Sequence, residues 1–270
     1  MKNFLNFYRS LPWFKGKLRL GKMIFKSGIN HPEPVSFKAH DGVFYHLPNT
    51  KENLGVELLI NGVYEQDIVQ FLQKQIQDGA VYFDIGANIG SIGLPIIKSK
   101  PNIHYYGFEA SPIVFQYLEK NFKDNQILHY ELHNKLAHKD DEQKLKFYQS
   151  DLYGKSSLAP TYSQDFVMAH SISLDSFCAQ NNITHIDWMK VDVQGFEIYV
   201  FEGMKELLRN KKVKNILFEF EPWAEEQAQV KIGIAKDYVR SMGYELYSLK
   251  GQLWADHKTG TDTMIWAKPG

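Results

Sequence analysis

Cysteine is almost absent from this chain of 270 residues, since Cys178 is the only one. A single cysteine excludes an internal disulfide and a zinc site built from several cysteines. No stretch approaches the roughly 18 to 20 consecutive apolar residues that a membrane-spanning helix needs. Arg9, Pro12 and Lys15 interrupt any apolar core of a secretory signal near the start. The sequence therefore predicts a soluble, cytoplasmic protein.

Acidic residues are absent from residues 1–32, although the whole chain has a net charge of zero. The segment holds seven Lys and Arg residues interleaved with aromatic ones, so it carries +7 and the remainder carries −7. A basic aromatic element can pack on the main domain, lie on an anionic membrane, contact a lipid-linked substrate or bind nucleic acid. Packing is our first expectation and peripheral membrane or lipid contact the second. Nucleic acid is disfavoured, because a lone basic patch is a weak signal.

Apolar residues make up 44% of the chain and charged residues 23%, which is ordinary for a globular protein. One doubly wound α/β domain with additions can absorb this length. We predict a basic, aromatic extension with accessory strands over residues 1–60 and the main domain over residues 61–270. The alternation from Val35 to Leu47, with a turn at Asp41-Gly42, predicts a hairpin within the extension.

Short apolar runs alternate with longer amphipathic segments through the main domain, which is typical of a parallel sheet covered by helices. We predict strands at 81–85, 104–108, 127–132, 186–191, 214–219, 244–249 and 263–267. Helices are predicted near 65–77, 112–123, 196–209 and 226–242. A turn-rich loop rather than a helix joins the last two strands. We therefore expect a seven-stranded mixed sheet with a C-terminal antiparallel hairpin.

The most informative segment is 81–90, where an apolar run ends in Asp84 and two glycines follow, Gly86 and Gly90. This pattern predicts a strand and a tight turn at the sheet edge where open parallel sheets bind ligands. The glycines would let backbone approach a ligand, and Asp84 or Asn88 would hydrogen-bond its polar groups. The alternative is that the two glycines only form a turn.

The spacing also indicates which cofactor binds. A dinucleotide site requires G-x-G-x-x-G, whereas Asn88 stands two residues after Gly86, and Asp84 would repel a pyrophosphate. A cofactor without phosphates fits better, and S-adenosylmethionine carries a positive charge that favours nearby carboxylates. Glu109 ends the next strand, 23 residues after Gly86, near the separation at which nucleotide folds place an acid on the ribose. Otherwise Glu109 is a solvated strand end.

Five separated pieces of sequence carry a resemblance to one family, in that family's order. They are Asn61-Gly-Val-Tyr-Glu65, Phe83-Asp-Ile-Gly-Ala-Asn-Ile-Gly90, Gly107-Phe-Glu-Ala110 with 115–121, Ser173-Leu-Asp175 and Met189-Lys-Val-Asp-Val-Gln-Gly-Phe-Glu197. With these pieces the chain resembles the FkbM family of S-adenosylmethionine-dependent methyltransferases over residues 61–222. The resemblance implies a Rossmann-like class I methyltransferase fold. The family usually has Glu where this chain has Gln194, so no carboxylate role carries over to that position.

The resemblance places Glu65 near the cleft, where its carboxylate would accept from the ammonium of the cofactor. The alternative for Glu65 is an ordinary charge at a helix N-terminus. The predicted cofactor-binding residues are Glu65, Asp84, Gly86, Asn88, Gly90, Glu109, Ala110 and Asp192.

Acids at two later strand ends are the candidates for chemistry. Asp192 follows a strand that we expect beside the glycine-loop strand, and Glu197 opens the next helix. Glu219 and Glu221 end the following strand and share one face of it. Any of the four could accept the proton of a hydroxyl during methyl transfer, although Asp192 and Glu197 could instead cap a helix. We predict no metal, because the ligand spacing of a hard-cation site is absent.

The sequence favours O-methylation of a hydroxyl on a sugar or another small polar metabolite, with residues 151–157 as a substrate loop. A small-molecule or glycan acceptor is expected rather than nucleic acid. The alternatives are an RNA or protein methyltransferase and a non-catalytic nucleoside-binding module. An NAD-dependent oxidoreductase is disfavoured by Asp84 and Asn88.

Overall fold

The computed structural model describes residues 2–26, 28–39, 41–255 and 263–270. Its helices are α1 (Lys2–Ser10), α2 (Lys17–Ile24), α3 (Asn53–Asn61), α4 (Gln66–Gln75), α5 (Gly93–Ser99), α6 (Pro112–Asp124), α7 (Leu174–Gln180), α8 (Glu197–Glu202), α9 (Lys205–Arg209), α10 (Pro222–Gln227) and α11 (Ile234–Ser241). Its strands are β1 (Val35–Lys38), β2 (Phe44–Leu47), β3 (Val81–Ile85), β4 (His104–Phe108), β5 (Tyr130–His133), β6 (Leu136–Ala137), β7 (Lys144–Tyr148), β8 (Phe166–Ile172), β9 (Trp188–Val191), β10 (Ile216–Glu219), β11 (Tyr244–Tyr247) and β12 (Met264–Pro269).

A seven-stranded sheet in the order β11-β12-β10-β9-β3-β4-β5 forms the centre of the molecule. The strands from β10 through β5 pair in parallel, and β12 runs antiparallel to both β10 and β11. The predicted mixed sheet with a C-terminal antiparallel hairpin is therefore confirmed. This is the sheet arrangement that the resemblance to the FkbM methyltransferases implies.

The sheet is covered on both faces. Tyr82 belongs to one apolar cluster, which includes residues of α1 and of α3 to α5, whereas its neighbour Phe83 belongs to a second cluster with residues of α7 to α9 and α11. Successive strand residues point to opposite faces. Burial on both sides explains why the parallel strands read as continuous apolar runs.

The chain changes direction across the sheet next to β3. From β3 it moves outward through β4 to β5, and it later returns to β9 on the other side of β3. The carboxyl ends of β3 and β9 are parallel neighbours, so the loops that follow them diverge and leave a crevice. Open α/β sheets bind ligands at such a point.

Two predicted helices are each divided in two. The segment predicted as one helix over 196–209 is α8 and α9, separated at Gly203, where an added Cβ would lie 2.2 Å from the backbone oxygen of His138. The segment predicted over 226–242 falls into α10 and α11, and Gly233 before α11 has a φ of 83°. The apolar spacing continues across both breaks, so it gave no sign of them. The breaks depend on contacts with distant parts of the chain, which local spacing does not record.

A second sheet, in the order β6-β8-β7, was absent from the sequence prediction. Strands β7 and β8 pair antiparallel, and the segment between them contains the predicted substrate loop. Leu145 and Phe147 alternate with lysines along β7, which is the pattern of a half-buried strand and could have revealed it.

The predicted hairpin is formed by β1 and β2, with Val35 paired to Leu47. Helices α1 and α2 pack on α3, and their apolar residues join the same cluster as Leu94 of the main domain. Helix α3 spans residue 60. The division of the chain at that residue stays a prediction.

Candidate functional site

A cavity of about 460 Å³ opens at the carboxyl ends of β3, β4, β9 and β10. Sites for small molecules usually measure roughly 300–1,000 Å³. Two groups of lining residues face each other. The sheet wall consists of residues 85–88, 108–110, 190, 192–194, 219 and 221. The loop wall consists of residues 51–54, 152–156 and 158.

Most of the predicted site residues meet at this cavity. Those that line it are Glu65, Gly86, Asn88, Glu109, Ala110, Asp192, Glu219 and Glu221. Three predicted residues, Asp84, Gly90 and Glu197, are not among the lining residues. Their surroundings show what each of them does.

Asp84 lies beneath the sheet wall and is fully buried. Its carboxylate accepts a 2.9 Å hydrogen bond from the Tyr105 hydroxyl and lies 3.3 Å from Lys190 Nζ. A buried charge needs such partners to remain charged. Asp84 therefore holds Lys190 in place from below the cavity.

The two glycines of the loop allow close approach to protein atoms. A Cβ at Gly86 would lie 2.0 Å from the backbone oxygen of Asp192, so glycine lets the loop after β3 pack against the end of β9. A Cβ at Gly90 would press on Phe122, Leu94 and Leu118 at 3.0–3.2 Å. Both glycines also have positive φ angles, 74° and 83°. The space that we predicted for a ligand at Gly90 is filled by the core.

Glu197 is buried at the start of α8 and accepts from the backbone N–H groups of Val193 at 3.0 Å and Gly195 at 3.3 Å. Burial raises the pKa of Glu197 to about 7, against the lowering effect of these amides. Both amides precede the N-cap residue Phe196, and no side chain caps α8, so these contacts are not helix capping. Glu197 orders the turn that carries Asp192 and Gln194.

Glu109 presents a buried carboxylate at the end of β4. One oxygen accepts from the Asn88 amide at 2.9 Å, and the other from the Ser111 amide at 2.8 Å. Burial raises the pKa of Glu109 to about 7 although these amides lower it. Each carboxylate oxygen can accept a further hydrogen bond, so the side chain is fixed in position and still able to accept from a ligand.

Lys190 lines the cavity and was not among the predicted site residues. It lies on β9, buried, with its ammonium 3.3 Å from Asp84 and 3.6 Å from Asp192. Burial alone would lower the pKa of Lys190, but the carboxylates of Asp84, Asp192 and Glu65 outweigh it and raise the pKa. A lysine inside an apolar parallel strand is itself an available signal, because lysine is almost never fully buried unless it is paired.

Acidic side chains crowd the sheet wall around Asp192. The amide of Gln194 donates to Asp192 at 3.1 Å and lies 3.5 Å from a carboxylate oxygen of Glu219. Burial, followed by the charges of Asp192 and Glu221, raises the pKa of Glu219 to about 10. At neutral pH Glu219 is therefore protonated and is a hydrogen-bond donor, which argues against its predicted role as a base.

Glu65 faces the same group of acids from the start of α4. Burial, and after it the charge of Asp192, raises the pKa of Glu65 to about 7. A cation bound beside Glu65 and Asp192 would relieve this repulsion. The arrangement suits a positively charged ligand.

Three lining residues that are not glycine have left-handed backbone: Glu65 with φ 47°, Asn88 with φ 51° and Gln194 with φ 57°. Such backbone costs about 1–3 kcal/mol and concentrates at functional sites. Their clustering at one cavity supports a binding role for it.

Side-chain contacts between distant segments hold the loop wall together. Glu52 accepts from the Gly154 amide at 2.7 Å, and Lys51 forms a 2.9 Å ion pair with Asp151. Asn88 of the sheet wall lies 3.5 Å from the Tyr153 carbonyl oxygen. The predicted substrate loop thus closes one side of the cavity, and Tyr153, Lys155 and Ser156 line it.

Within residues 2–26, 28–39, 41–255 and 263–270, no group of three or more His, Cys, Asp or Glu side chains is arranged to hold a metal ion. The acids at the sheet wall instead contact Lys190 and Gln194.

Comparisons with known proteins agree with this geometry. The family described as the Methyltransferase FkbM domain matches residues 84–246. Over 146 residues the chain is 25% identical to hexuronic acid methyltransferase AglP of Haloferax volcanii, a match that covers 54% of this chain and 59% of that protein. The chain thus spans about three-fifths of the length of this curated relative.

Solved methyltransferase structures are similar at lower identity. The METTL16 MTase domain has 13% identity and a TM-score of 0.47, with 97% of this chain and 93% of that chain covered. A precorrin-6y C5,15-methyltransferase of Geobacter metallireducens has 13% identity and a TM-score of 0.45, with coverage of 76% and 87%. Since the family match extends over more than half of the sequence and contains β4, β9, β10 and the end of β3, the chain belongs to the FkbM methyltransferase family.

Proposed function

We propose that this protein transfers a methyl group from S-adenosylmethionine to a hydroxyl oxygen of a sugar or another small polar metabolite. The observation that carries the proposal is the grouping of Glu65, Glu109 and Asp192 around one cavity at the switch point of the sheet. Three acids around a crevice of this size suit a ligand that combines a ribose with positive charge.

The residues of the sheet wall fit the cofactor. Glu109 would accept from the ribose hydroxyls, and its fixed position removes the entropy cost of ordering it. Glu65 and Asp192 would lie near the positive sulfonium and ammonium groups. Apolar surface for the adenine is available from Phe108, Ala110, Leu136, Ala137 and Phe147. When bound, S-adenosylmethionine supplies an electrophilic methyl group.

Asp192 is our first candidate for the group that takes the proton from the acceptor hydroxyl. Its side chain is partly exposed at the cavity, and its contacts with Lys190 and Gln194 hold the carboxylate in position. Glu221 is the second candidate, because it lines the same part of the cavity. Glu219 is protonated at neutral pH and would instead donate a hydrogen bond to the acceptor or to the cofactor.

Positively charged side chains at the cavity support an acceptor that carries a negative group. Lys51, Lys135 and Lys155 line the cavity; Lys51 is already paired with Asp151, which leaves Lys135 and Lys155 for an anion. The relative from Haloferax volcanii is named for a hexuronic acid. A sugar with a carboxylate or phosphate would place its anion near these lysines and its hydroxyl toward Asp192.

Two measurements test the proposal in sequence. Calorimetric titration with S-adenosylhomocysteine, NAD and ATP should show binding of the first ligand alone. Incubation with methyl-labelled cofactor and a panel of neutral sugars, uronic acids and sugar nucleotides should then label an acidic sugar, with mass spectrometry locating the methyl group. Binding of NAD in place of S-adenosylhomocysteine would contradict the assignment at its first step.

A further inference from the structure

The first two helices expose an unusual amount of apolar surface. Seven of the fifteen exposed large apolar side chains in the described residues lie between residues 4 and 24. They are Phe4, Phe7, Trp13, Phe14, Leu20, Met23 and Ile24, with Phe7 59% and Met23 69% exposed. We call this group the N-terminal apolar surface. Exposed apolar side chains that are concentrated in one segment, rather than scattered singly, point to an interaction site.

Folding does not account for this surface, because the inner face of the same helices is already packed. Leu5 and Tyr8 are buried in the core cluster, and the Arg9 guanidinium donates to the Leu59 carbonyl at 2.7 Å. Lys17 is buried and donates to the Leu11 carbonyl at 2.5 Å. Packing, our first expectation for this segment, thus describes one face of the helices. The other face stays largely exposed, although the Phe4 ring also contacts Phe25.

The outer face has a single sign of charge. Arg9 and Lys17 are buried, so they do not belong to the basic patch that the sequence predicted. The exposed basic residues are Lys15, Arg19, Lys22 and Lys26. Residues 1–32 contain no acid. Leu18 and Met23 lie with Arg19, Lys22 and Lys26 around one shallow groove, so basic and apolar side chains are interleaved.

We propose that the N-terminal apolar surface docks on an anionic lipid bilayer. Aromatic and aliphatic side chains bounded by lysine and arginine, on short amphipathic helices, match the interfacial zone of a membrane with negatively charged head groups. Nucleic acid would use the positive charge but would leave Leu20, Met23 and Ile24 without a suitable contact. In the described residues no helix is long and apolar enough to cross a bilayer, so docking is confined to the membrane surface.

A basic residue beside the N-terminal apolar surface contacts the loop wall of the cavity. Lys22 donates to the side chain of Asn53 at 2.9 Å, and Asn53 belongs to the loop wall. Docking would therefore hold the cavity near the lipid head groups. The docking proposal is independent of the proposed methyl transfer, since it rests on residues outside the cavity.

Vesicle co-sedimentation tests the proposal with the full chain. We expect it to sediment with vesicles of phosphatidylcholine containing about 30% phosphatidylglycerol, to remain in solution with pure phosphatidylcholine, and to be released by salt. The double variants Phe7→Ser/Met23→Ser and Arg19→Glu/Lys26→Glu should each weaken binding about tenfold or more. Leu128→Ser and Lys144→Glu, which alter exposed residues elsewhere, are the matched controls and should bind normally.

Thermal melting and S-adenosylhomocysteine titration of every variant separate a loss of docking from a loss of fold. Unchanged melting with reduced sedimentation supports the proposal. Equal sedimentation of the variants and the unmodified chain would overturn it. Failure of the unmodified chain to bind anionic vesicles would also overturn it. In that case, a dimer in light scattering or binding of a single-stranded oligonucleotide would identify a different occupant of the surface.

Discussion

The sheet wall and the loop wall face the same cavity, but different contacts hold them. In the sheet wall, neighbouring parallel strands place Glu109 and Asp192 by backbone pairing, and Glu109 is fixed by two backbone amides. In the loop wall, the side chain of Glu52 holds Gly154, which lies 102 residues further along the chain. One wall is part of the sheet, whereas the other depends on a few side-chain contacts.

This difference indicates how the two ligands are divided between the walls. A cofactor shared by a whole family requires a constant geometry, which the ends of a rigid sheet provide. Loops held by side chains can change without disturbing the core, and loops carry most binding specificity. We therefore assign the cofactor to the sheet wall and the choice of acceptor to the loop wall. Variants of each wall should separate these roles.

The largest effect is expected at Asp192, where the two ligands would meet. Asp192→Asn keeps the size of the side chain and removes its basicity, so turnover on an accepted substrate should fall by about 10² to 10⁴. Asp187→Asn, at the start of β9, is the control and should retain turnover. Steady-state kinetics with labelled cofactor measure both. Full turnover in both Asp192→Asn and Glu221→Gln would move proton removal to another group.

The next largest effect concerns the charge balance under the sheet wall. Lys190→Met leaves Asp84 buried without its cation, and loss of one partner of a buried pair costs about 3–5 kcal/mol. Urea denaturation should show this decrease in the free energy of unfolding, with partial recovery in Asp84→Asn/Lys190→Met. Lys214→Met breaks an exposed pair with Asp187 and should cost no more than about 1 kcal/mol. Equal losses in both lysine variants would contradict the buried-pair interpretation.

Glu109→Ala tests the ribose assignment of the sheet wall. Loss of hydrogen bonds to a charged group should weaken S-adenosylhomocysteine binding by about 1.5–3 kcal/mol, which is roughly 10- to 150-fold. Calorimetry measures the affinity, and circular dichroism checks the fold. Glu131→Ala, an exposed acid on the adjacent β5, should bind normally. Unchanged affinity in a folded Glu109→Ala protein would show that the ribose lies elsewhere.

A smaller effect is expected from pH. Because the pKa of Glu219 is about 10, the folded protein keeps a proton that the unfolded chain has already lost, and stability falls as pH rises. Between about pH 8 and pH 9, above the pKa of about 7 of Glu65, Glu109 and Glu197, Glu219 should lower the stability by at most about 1.4 kcal/mol per pH unit. The lowered pKa values of His133 and His138, caused by burial, place their titration below this range.

Thermal melting across that range measures the slope, which should flatten in Glu219→Gln. Glu226→Gln replaces an exposed acid on α10 and should leave the slope unchanged. If both variants retain the slope of the original protein, Glu219 does not hold the extra proton.

The smallest effect is expected in the loop wall. Glu52→Ala removes the contact with the Gly154 amide, a net loss of about 0.5–1.5 kcal/mol, so the acceptor KM should rise about 2- to 12-fold. S-adenosylhomocysteine affinity should stay constant, and Glu33→Ala, an exposed acid, should change neither quantity. A loss of cofactor affinity with an unchanged acceptor KM would reverse the assignment of the walls.

Much of the sheet wall was predictable from the sequence. The glycine loop and Glu109 each follow a contiguous apolar run. Strands β3 and β4 begin and end at the predicted residues. Alternation and turn residues are local properties, and parallel order brings neighbouring strand ends together. The position of Asp192 beside the glycine loop could therefore be predicted as well.

The sequence by itself determined the fold class, the strand order at the switch point and most of the residues that line the sheet wall. Tertiary structure alone decided the partners of Lys190 and Glu52, the inward placement of Arg9 and Lys17, and the proton on Glu219. The reason is that burial and charge interactions depend on groups brought together from distant positions. Lys190 and Asp84 are 106 residues apart and meet only across paired strands.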